Sequence, residues 1–271
     1  METTHHRSET DATLIRVRTN TTMPTNDRLT EPKSPTPMTD PQLESEFEHK
    51  LKATLADGLP AALAGKFLVF DGPDGSGKST QLKMFLGATK RAGIRVTEVR
   101  EPGGTEIGEK IRDALLEHLD REEMSLRCEM LLYMASRAQL CEQVIGPALK
   151  RGDLVVADRF VASTYAYQGA AGGIPSTEIQ AAAEIAMQGV VPDATLIFDV
   201  DQRTAASRLN PLLDRMEAKG AAFHAKVRDG YHALIESDPD ARRYLAVDAT
   251  GSPDEVFSNI NIVLSGRFLN Q

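Results

Sequence analysis

The sequence predicts an α/β fold, a parallel five-stranded sheet flanked by helices, on three observations. Five short apolar runs alternate with helical patterns from Lys66 onward, glycine and proline punctuate the joints, and the first run leads straight into a glycine-rich loop. Repeated strand, helix and strand units put helices on both faces of a parallel sheet. Ligands of such sheets gather beyond the C-terminal strand ends.

Residues 1–42 are rich in Thr, Pro, Asp and Ser and carry few aromatic or branched apolar side chains. Such a segment cannot offset its ordering entropy, so a disordered tail is expected there. Leu43, Phe47, Leu51 and Leu55 recur at helical spacing, which predicts a short helix and linker within 43–64. The folded domain is expected over 65–268. Its strands are read at 66–70 (KFLVF), 94–99 (IRVTEV), 154–157 (LVVA), 195–200 (TLIFDV) and 244–248 (YLAVD). Helices fill the gaps, broken at Pro102, Gly103, Gly104, Gly152, Gly172, Gly173, Pro175 and Pro192.

The chain of 271 residues is 41% hydrophobic, enough for a sizeable core without a metal or disulfide staple. Its net charge of −8 argues against a nucleic-acid-coating surface, so an anionic ligand has to be met by local arginines. Cys128 and Cys141 lack metal-ligand or redox spacing and read as buried thiols of a reducing cytoplasm. No apolar run approaches the roughly 18 residues of a membrane span, and no secretory apolar core is seen at the N-terminus.

Between the first strand and the next helix the chain reads GPDGSGKST. Gly72, Pro73, Asp74, Gly75, Ser76, Gly77, Lys78, Ser79 and Thr80 fit G-x-x-x-x-G-K-[ST], a loop whose backbone N–H groups converge on polyphosphate beside a helix N-terminus. Lys78 then serves the β- and γ-phosphates, and the Ser79 hydroxyl serves Mg²⁺. Beyond the third strand, Asp158 suits a carboxylate approaching Mg²⁺ through water and Arg159 a phosphate clamp; a surface ion pair is the alternative. VREPGGT after the second strand reads equally as a tight turn. Tyr133 and Arg137 stand four apart on one helical face, as a stacking ring and a fork for a nucleobase would, or as a core tyrosine beside a surface arginine. Thr164, Tyr167 and Gln168 cluster with the same ambiguity, since a glutamine amide can donate and accept toward a pyrimidine or cap a helix.

Together GPDGSGKST, REPGGT, LLYMASRAQ, ADRFVASTYAYQG and LLDRMEAKGAAFHAKVRDGY resemble, in this order between about Lys66 and Arg267, the thymidylate kinases. The resemblance implies a P-loop NTPase-type fold with a small mobile lid at about 207–221. It implies transfer of the γ-phosphoryl group of ATP to dTMP, giving dTDP and ADP, with Mg²⁺ as cofactor and a homodimer as the assembly. By resemblance Asp74 contacts the sugar 3′-hydroxyl or a metal-bound water, and Arg112 and Arg159 clamp the acceptor phosphate with Glu101 facing the same site. Tyr133 stacks on thymine where relatives more often carry phenylalanine, Arg137 reaches a base carbonyl, and Thr164 with Gln168 addresses the other polar edge. Tyr167 closes the space beside the sugar C2′. The loop residue after Asp74 is Gly75 and not a basic one, so charge on the transferring group calls for an arginine from SRLNPLLDRMEAKG. Arg215 is the expected finger and Arg208 its support, with Pro211 ending the helix that begins after Asp201. The catalytic set is therefore Lys78, Asp74, Asp158, Arg159, Arg215 and Arg208.

Two other readings are separable. A kinase of another monophosphate or of a deoxynucleoside is disfavoured by the base-facing set. A nucleotide-dependent switch or partitioning ATPase would want a guanine-reading N-K-x-D or a second signature lysine ahead of the loop, and neither occurs.

Overall fold

In the computed structural model, residues 53–117, 123–208, 219–238 and 242–269 are described. The elements run α1 (Leu59–Ala62), β1 (Phe67–Asp71), α2 (Lys78–Arg91), β2 (Val96–Arg100), α3 (Glu106–Leu116), α4 (Leu126–Leu140) and α5 (Gly146–Lys150). They continue with β3 (Leu154–Asp158), α6 (Val161–Thr164), α7 (Ser176–Met187), β4 (Ala194–Asp199), α8 (Gln202–Arg208), α9 (Ala221–Glu236), β5 (Tyr244–Asp248) and α10 (Pro253–Phe268). Wider π-helical turns at Cys141–Ile145 and Tyr165–Ala171 extend α4 and α6.

The sheet is parallel throughout, in the order β2-β3-β1-β4-β5. β1 pairs with both β3 and β4, and all five of its residues are buried. That explains its unbroken apolar run before Asp71. Alternate side chains serve opposite layers: Leu68 and Phe70 join the core beneath α2 and α10, and Phe67 and Val69 the core beneath α4 and α7. The Phe70 ring lies 5.2 Å from Phe85 and 5.5 Å from Phe198, and Phe67 meets Phe160 edge-on at 5.1 Å. Each such buried ring contributes about 1.5–3 kcal/mol over an exposed one. Losing several would therefore consume most of a domain's usual margin of stability.

Pairing sets the functional ends in line. Asp158 lies opposite Phe70 on one side and Arg100 on the other, so the phosphate loop, the Glu101–Gly104 turn and Arg159 leave the sheet side by side. Against this edge α9 packs on the Tyr165–Ala171 turn, where Gly230 is needed: a Cβ there would stand 2.7 Å from Ala170 Cβ and 3.0 Å from Ala166 Cα. The close approach delivers Tyr231 to the end of β1.

Three expectations are corrected. The helix read through Leu55 does not include Ala53–Gly58. The backbone of that stretch is bonded outward, with Ala56 N–H donating to Asn261 Oδ1 at 2.8 Å and the Thr54 carbonyl accepting from Asn261 Nδ2 at 3.1 Å. Gly58 then turns at φ +83° and a proline opens α1. The part of that helix before residue 53, like the tail at 1–42, lies outside the described residues. Cys128 is exposed on α4, whereas Cys141 is buried and its thiol is pushed up to about 12, first by burial and then by Glu101. Strand ends also shift by one or two residues, so that Arg100 and Asp158 close β2 and β3 and do not follow them.

Candidate active site

The phosphate loop turns on glycines for a steric reason. Gly75 adopts φ +76°, and a Cβ on it would collide with the carbonyl of Ala205 in α8. The loop and α8 are thus seated backbone to backbone. Gly77 at φ +83° caps α2, whose first residue is Lys78, so free N–H groups and the helix's positive end face one cleft. This cleft holds about 1180 Å³ of open space and runs from the loop to Arg208, Ala249, Gly251 and Pro253. Arg208, the last residue of α8, donates from Nη1 to the Ala249 carbonyl at 3.1 Å, and Gln81 donates to the Pro253 carbonyl at 2.8 Å.

Lys78 is nearly buried and sits 2.9 Å from Asp158 Oδ1 as an ion pair. It stands off line for a hydrogen bond, which leaves Oδ1 a buried acceptor without one. Ser76 Oγ is likewise buried without a hydrogen-bond partner, and the Ser79 side is exposed. These hard oxygens fit Mg²⁺, which uses one or two protein ligands plus substrate phosphates and keeps several waters. Among the described residues no group of three or more His, Cys, Asp or Glu could hold a metal ion.

A second cavity, about 600 Å³, opens on the other side of Asp74. Glu101, Arg112, Tyr133, Arg137, Arg159, Thr164, Tyr167 and Gln168 all line it, with Pro102, Leu116, Phe160 and Ser163. Every acceptor-site residue read from the sequence is thus brought together. Arg137 is 1% exposed, so it is neither the surface arginine of the alternative reading nor freely mobile. Its Nη2 donates to Glu101 Oε2 at 2.6 Å and to Thr164 Oγ1 at 3.2 Å, and its guanidinium lies over Phe160. Glu101 lines the same cavity as Arg112 and Arg159, and its carboxylate is engaged by Arg137. Burial raises its pKa, with Arg137 opposing. Arg112 donates to the Pro102 carbonyl at 2.9 Å, tying α3 to the Glu101–Gly104 turn. That turn is consequently part of the site as well as a tight turn.

Between the two cavities lies a network centred on Asp71, which sequence reasoning missed. Its fully buried carboxylate accepts from Tyr231 Oη and Ser163 Oγ, both at 2.7 Å, from Gly72 N at 2.9 Å, from Ser163 N at 3.0 Å and from Phe160 N at 3.3 Å. This fixes the loop carrying Arg159, a non-glycine residue at φ +67°. Arg159 pairs with Asp74 and reaches the Gly72 carbonyl at 3.1 Å, and Tyr167 donates to Asp74 Oδ2 at 2.6 Å. Burial alone would raise the Asp74 pKa, but Arg159, Tyr167 and Lys78 outweigh it and hold the carboxyl below its ordinary value. Burial also works against the charge on Arg159, yet the oxygens of Tyr167, Asp74, Tyr231 and Asp71 keep it firmly protonated. The Tyr167 hydroxyl is pushed well up by burial and stays neutral. Glu129, which bonds Gln168, was missed too, as were Ala249 and Gly251. The signal for Asp71 was faint, an acid closing an apolar strand, and Glu129 gave none. Arg215 and most of the lid at 207–221 lie outside the described residues.

Known proteins similar to this chain agree in kind. The family model described as thymidylate kinase matches residues 70–260. A thymidylate kinase of Exiguobacterium sp. is 43% identical over 192 residues, covering 70% of this chain and 89% of the relative. One of Leifsonia xyli subsp. xyli is 38% identical over 212 residues, covering 77% and 99%. The crystal structure of thymidylate kinase from Ehrlichia chaffeensis superposes with a TM-score of 0.58 at 28% identity, over 74% of this chain and 99% of that one.

Proposed function

The chain belongs to the thymidylate kinase family, and from that premise we propose how its own residues carry the reaction. The enzyme is an ATP-dependent phosphotransferase that passes the γ-phosphoryl group of ATP to dTMP, giving dTDP and ADP. One observation supports the assignment of its two substrates to the two cavities. Asp74 lines both, so donor and acceptor meet across a single loop residue.

ATP enters the larger cleft, where loop N–H groups and Lys78 hold its phosphates and Arg208 with the Ala249–Pro253 turn flanks its nucleoside. Ser79, and Asp158 through water, would hold the Mg²⁺ that comes with ATP, and the ion would supply positive charge to offset that of the phosphates. dTMP enters the other cavity with its phosphate toward Arg112 and Arg159. Its base lies on Tyr133 with its polar edge toward Arg137, Thr164 and Gln168, and Tyr167 crowds the sugar C2′. Both substrates are anions, so the work is to hold two repelling groups in line while excluding water as a rival acceptor. Asp74, ionised at neutral pH, is free to accept from the sugar 3′-hydroxyl once Arg159 turns to phosphate. By family resemblance, Arg215 is the residue to meet the charge of the transferring group.

Family membership also supports a homodimer, which light scattering tests, and a cytoplasmic setting. No helix among the described residues is long and apolar enough to cross a membrane. The decisive measurement is diphosphate formation from a panel of nucleoside monophosphates with Mg·ATP. dTMP is the best acceptor, dUMP is weaker and purine monophosphates are nearly inert. Preference for dGMP or dAMP over dTMP would overturn the reading.

A further inference from the structure

A glutamine amide is ambiguous as a base reader because either end can face the ligand. In this chain the ambiguity is removed from behind. Gln168 is buried, lines the acceptor cavity, and donates from Nε2 to Glu129 Oε1 at 2.8 Å. Glu129, itself 1% exposed on α4, is a carboxylate that can only accept. The Lys219 ammonium, 3.7 Å from Oε2, supplies a countercharge for it. With the NH₂ group held by Glu129, the amide end left for the cavity is the oxygen Oε1.

Arg137, on the same wall, offers donors only. Its guanidinium is prevented from swinging away by Glu101, with Nε and Nη2 donating to that carboxylate at 3.0 and 2.6 Å. Two groups of fixed sense thus line one cavity, a donor from Arg137 and an acceptor from Gln168. A 4-oxo pyrimidine presents the matching edge, an acceptor O4 beside an N3–H donor. A 4-amino pyrimidine presents the inverse, an N4–H₂ donor beside an acceptor N3.

We propose that Glu129 is the positioning residue for pyrimidine choice: it locks the Gln168 amide with its oxygen toward the base, so that the site accepts 4-oxo and rejects 4-amino pyrimidine monophosphates. This rests on the reading of the cavity as the dTMP site. Glu129 is not among the residues that line the cavity, and it acts on the base through Gln168. An isosteric Glu129→Gln change gives the neighbouring amide a partner that can donate as well as accept, and Gln168 is then free to turn its NH₂ toward cytosine N3.

The test is kcat/KM for dTMP and dCMP in four proteins: wild type, Glu129→Gln, Gln168→Leu and the double variant. The dTMP:dCMP ratio falls about tenfold or more in Glu129→Gln, the scale of one mismatched buried polar contact. In the Gln168→Leu background the same change leaves the ratio where it is, because the group it orients is gone. Should Glu129→Gln fail to fold, Glu129→Asp withdraws the acceptor by one methylene and is read in the same way. A wild-type enzyme that takes dCMP as readily as dTMP overturns the reading of the cavity and this inference together. Wild-type selectivity retained in Glu129→Gln, or an equal fall of the ratio in both backgrounds, overturns the inference alone.

Discussion

Replacing Asp71 by asparagine tests whether the buried carboxylate at the end of β1 organises the site. The change keeps the shape but converts one of two acceptor oxygens into a donor. Both oxygens are surrounded by donors: Tyr231 Oη, Ser163 Oγ and Gly72 N at Oδ1, and Ser163 N and Phe160 N at Oδ2. Hydroxyls can rotate to accept from the new amide, but backbone N–H groups cannot. With the NH₂ group at the Oδ2 position, two buried N–H donors lose their partner, at about 1–3 kcal/mol each. A loss of roughly 2–6 kcal/mol corresponds to a fall in thermal midpoint of about 4–24 °C for a domain of this size. Tyr231→Phe removes a single donor and leaves the carboxylate otherwise served, so it costs about 1 kcal/mol and about 2–4 °C. Scanning calorimetry gives the midpoints, and steady-state kinetics with dTMP reports whether Arg159 stays in place. A midpoint for Asp71→Asn within 2 °C of wild type, or a smaller drop than for Tyr231→Phe, refutes the reasoning.

Three further outcomes follow, the first two from the same geometry and the third from the family resemblance. Gly75→Ala sets a Cβ against the Ala205 carbonyl at φ +76°, so the apo protein loses stability and the KM for ATP rises by about tenfold or more; an unchanged ATP KM contradicts the seating of loop on α8. Asp74 has its pKa below 3.8 in the folded state, so its ionised form contributes stability above the unfolded value that is lost as pH falls through the folded one. Denaturant midpoints of wild type and Asp74→Asn therefore differ at pH 7 and converge as the pH falls through the lowered folded-state value, and a gap that is constant with pH excludes the coupling. Arg215→Ala lowers kcat by about a hundredfold with little change in the KM for dTMP, and equal turnover removes Arg215 as the finger.

What could be read from the sequence depended on how local the signal was. The strands were legible because β1, β3 and β4 are buried on both faces and so are written as continuous apolar runs. The phosphate loop was legible because nine consecutive residues carry it. The acceptor site was different: Tyr133 and Arg137 share a helical face, but their meaning came from family resemblance, since spacing alone fits a core tyrosine equally well. Asp71 escaped notice because its partners are remote, Tyr231 standing 160 residues along the chain. Gly230 held a usable clue, for a glycine inside a helix weakens it and implies close packing, here against Ala166 and Ala170. Glu129 gave none, because an acid in a helical stretch normally belongs to the solvated face.

A chain of net charge −8 binds two anions here, and the pairing of its cations shows how. Lys78 rests on Asp158, Arg159 on Asp74 and Asp71, and Arg137 on Glu101; Arg112 and Arg208 rest on carbonyl oxygens. These resting contacts differ in whether a phosphate can replace them. Asp158 is 29% exposed, and Arg159 and Asp74 line an open cavity, so water and ligand can take over either partner as the other is surrendered. The Arg137–Glu101 pair is 1% and 3% exposed, and separating it would strand a buried charge at about 3–5 kcal/mol. On the proposed assignment of the two substrates, the phosphate side can therefore exchange partners during a catalytic cycle, while the base side cannot. Selectivity for the base is then set before the substrate arrives, and only the groups that must follow a moving phosphoryl charge are left free to move.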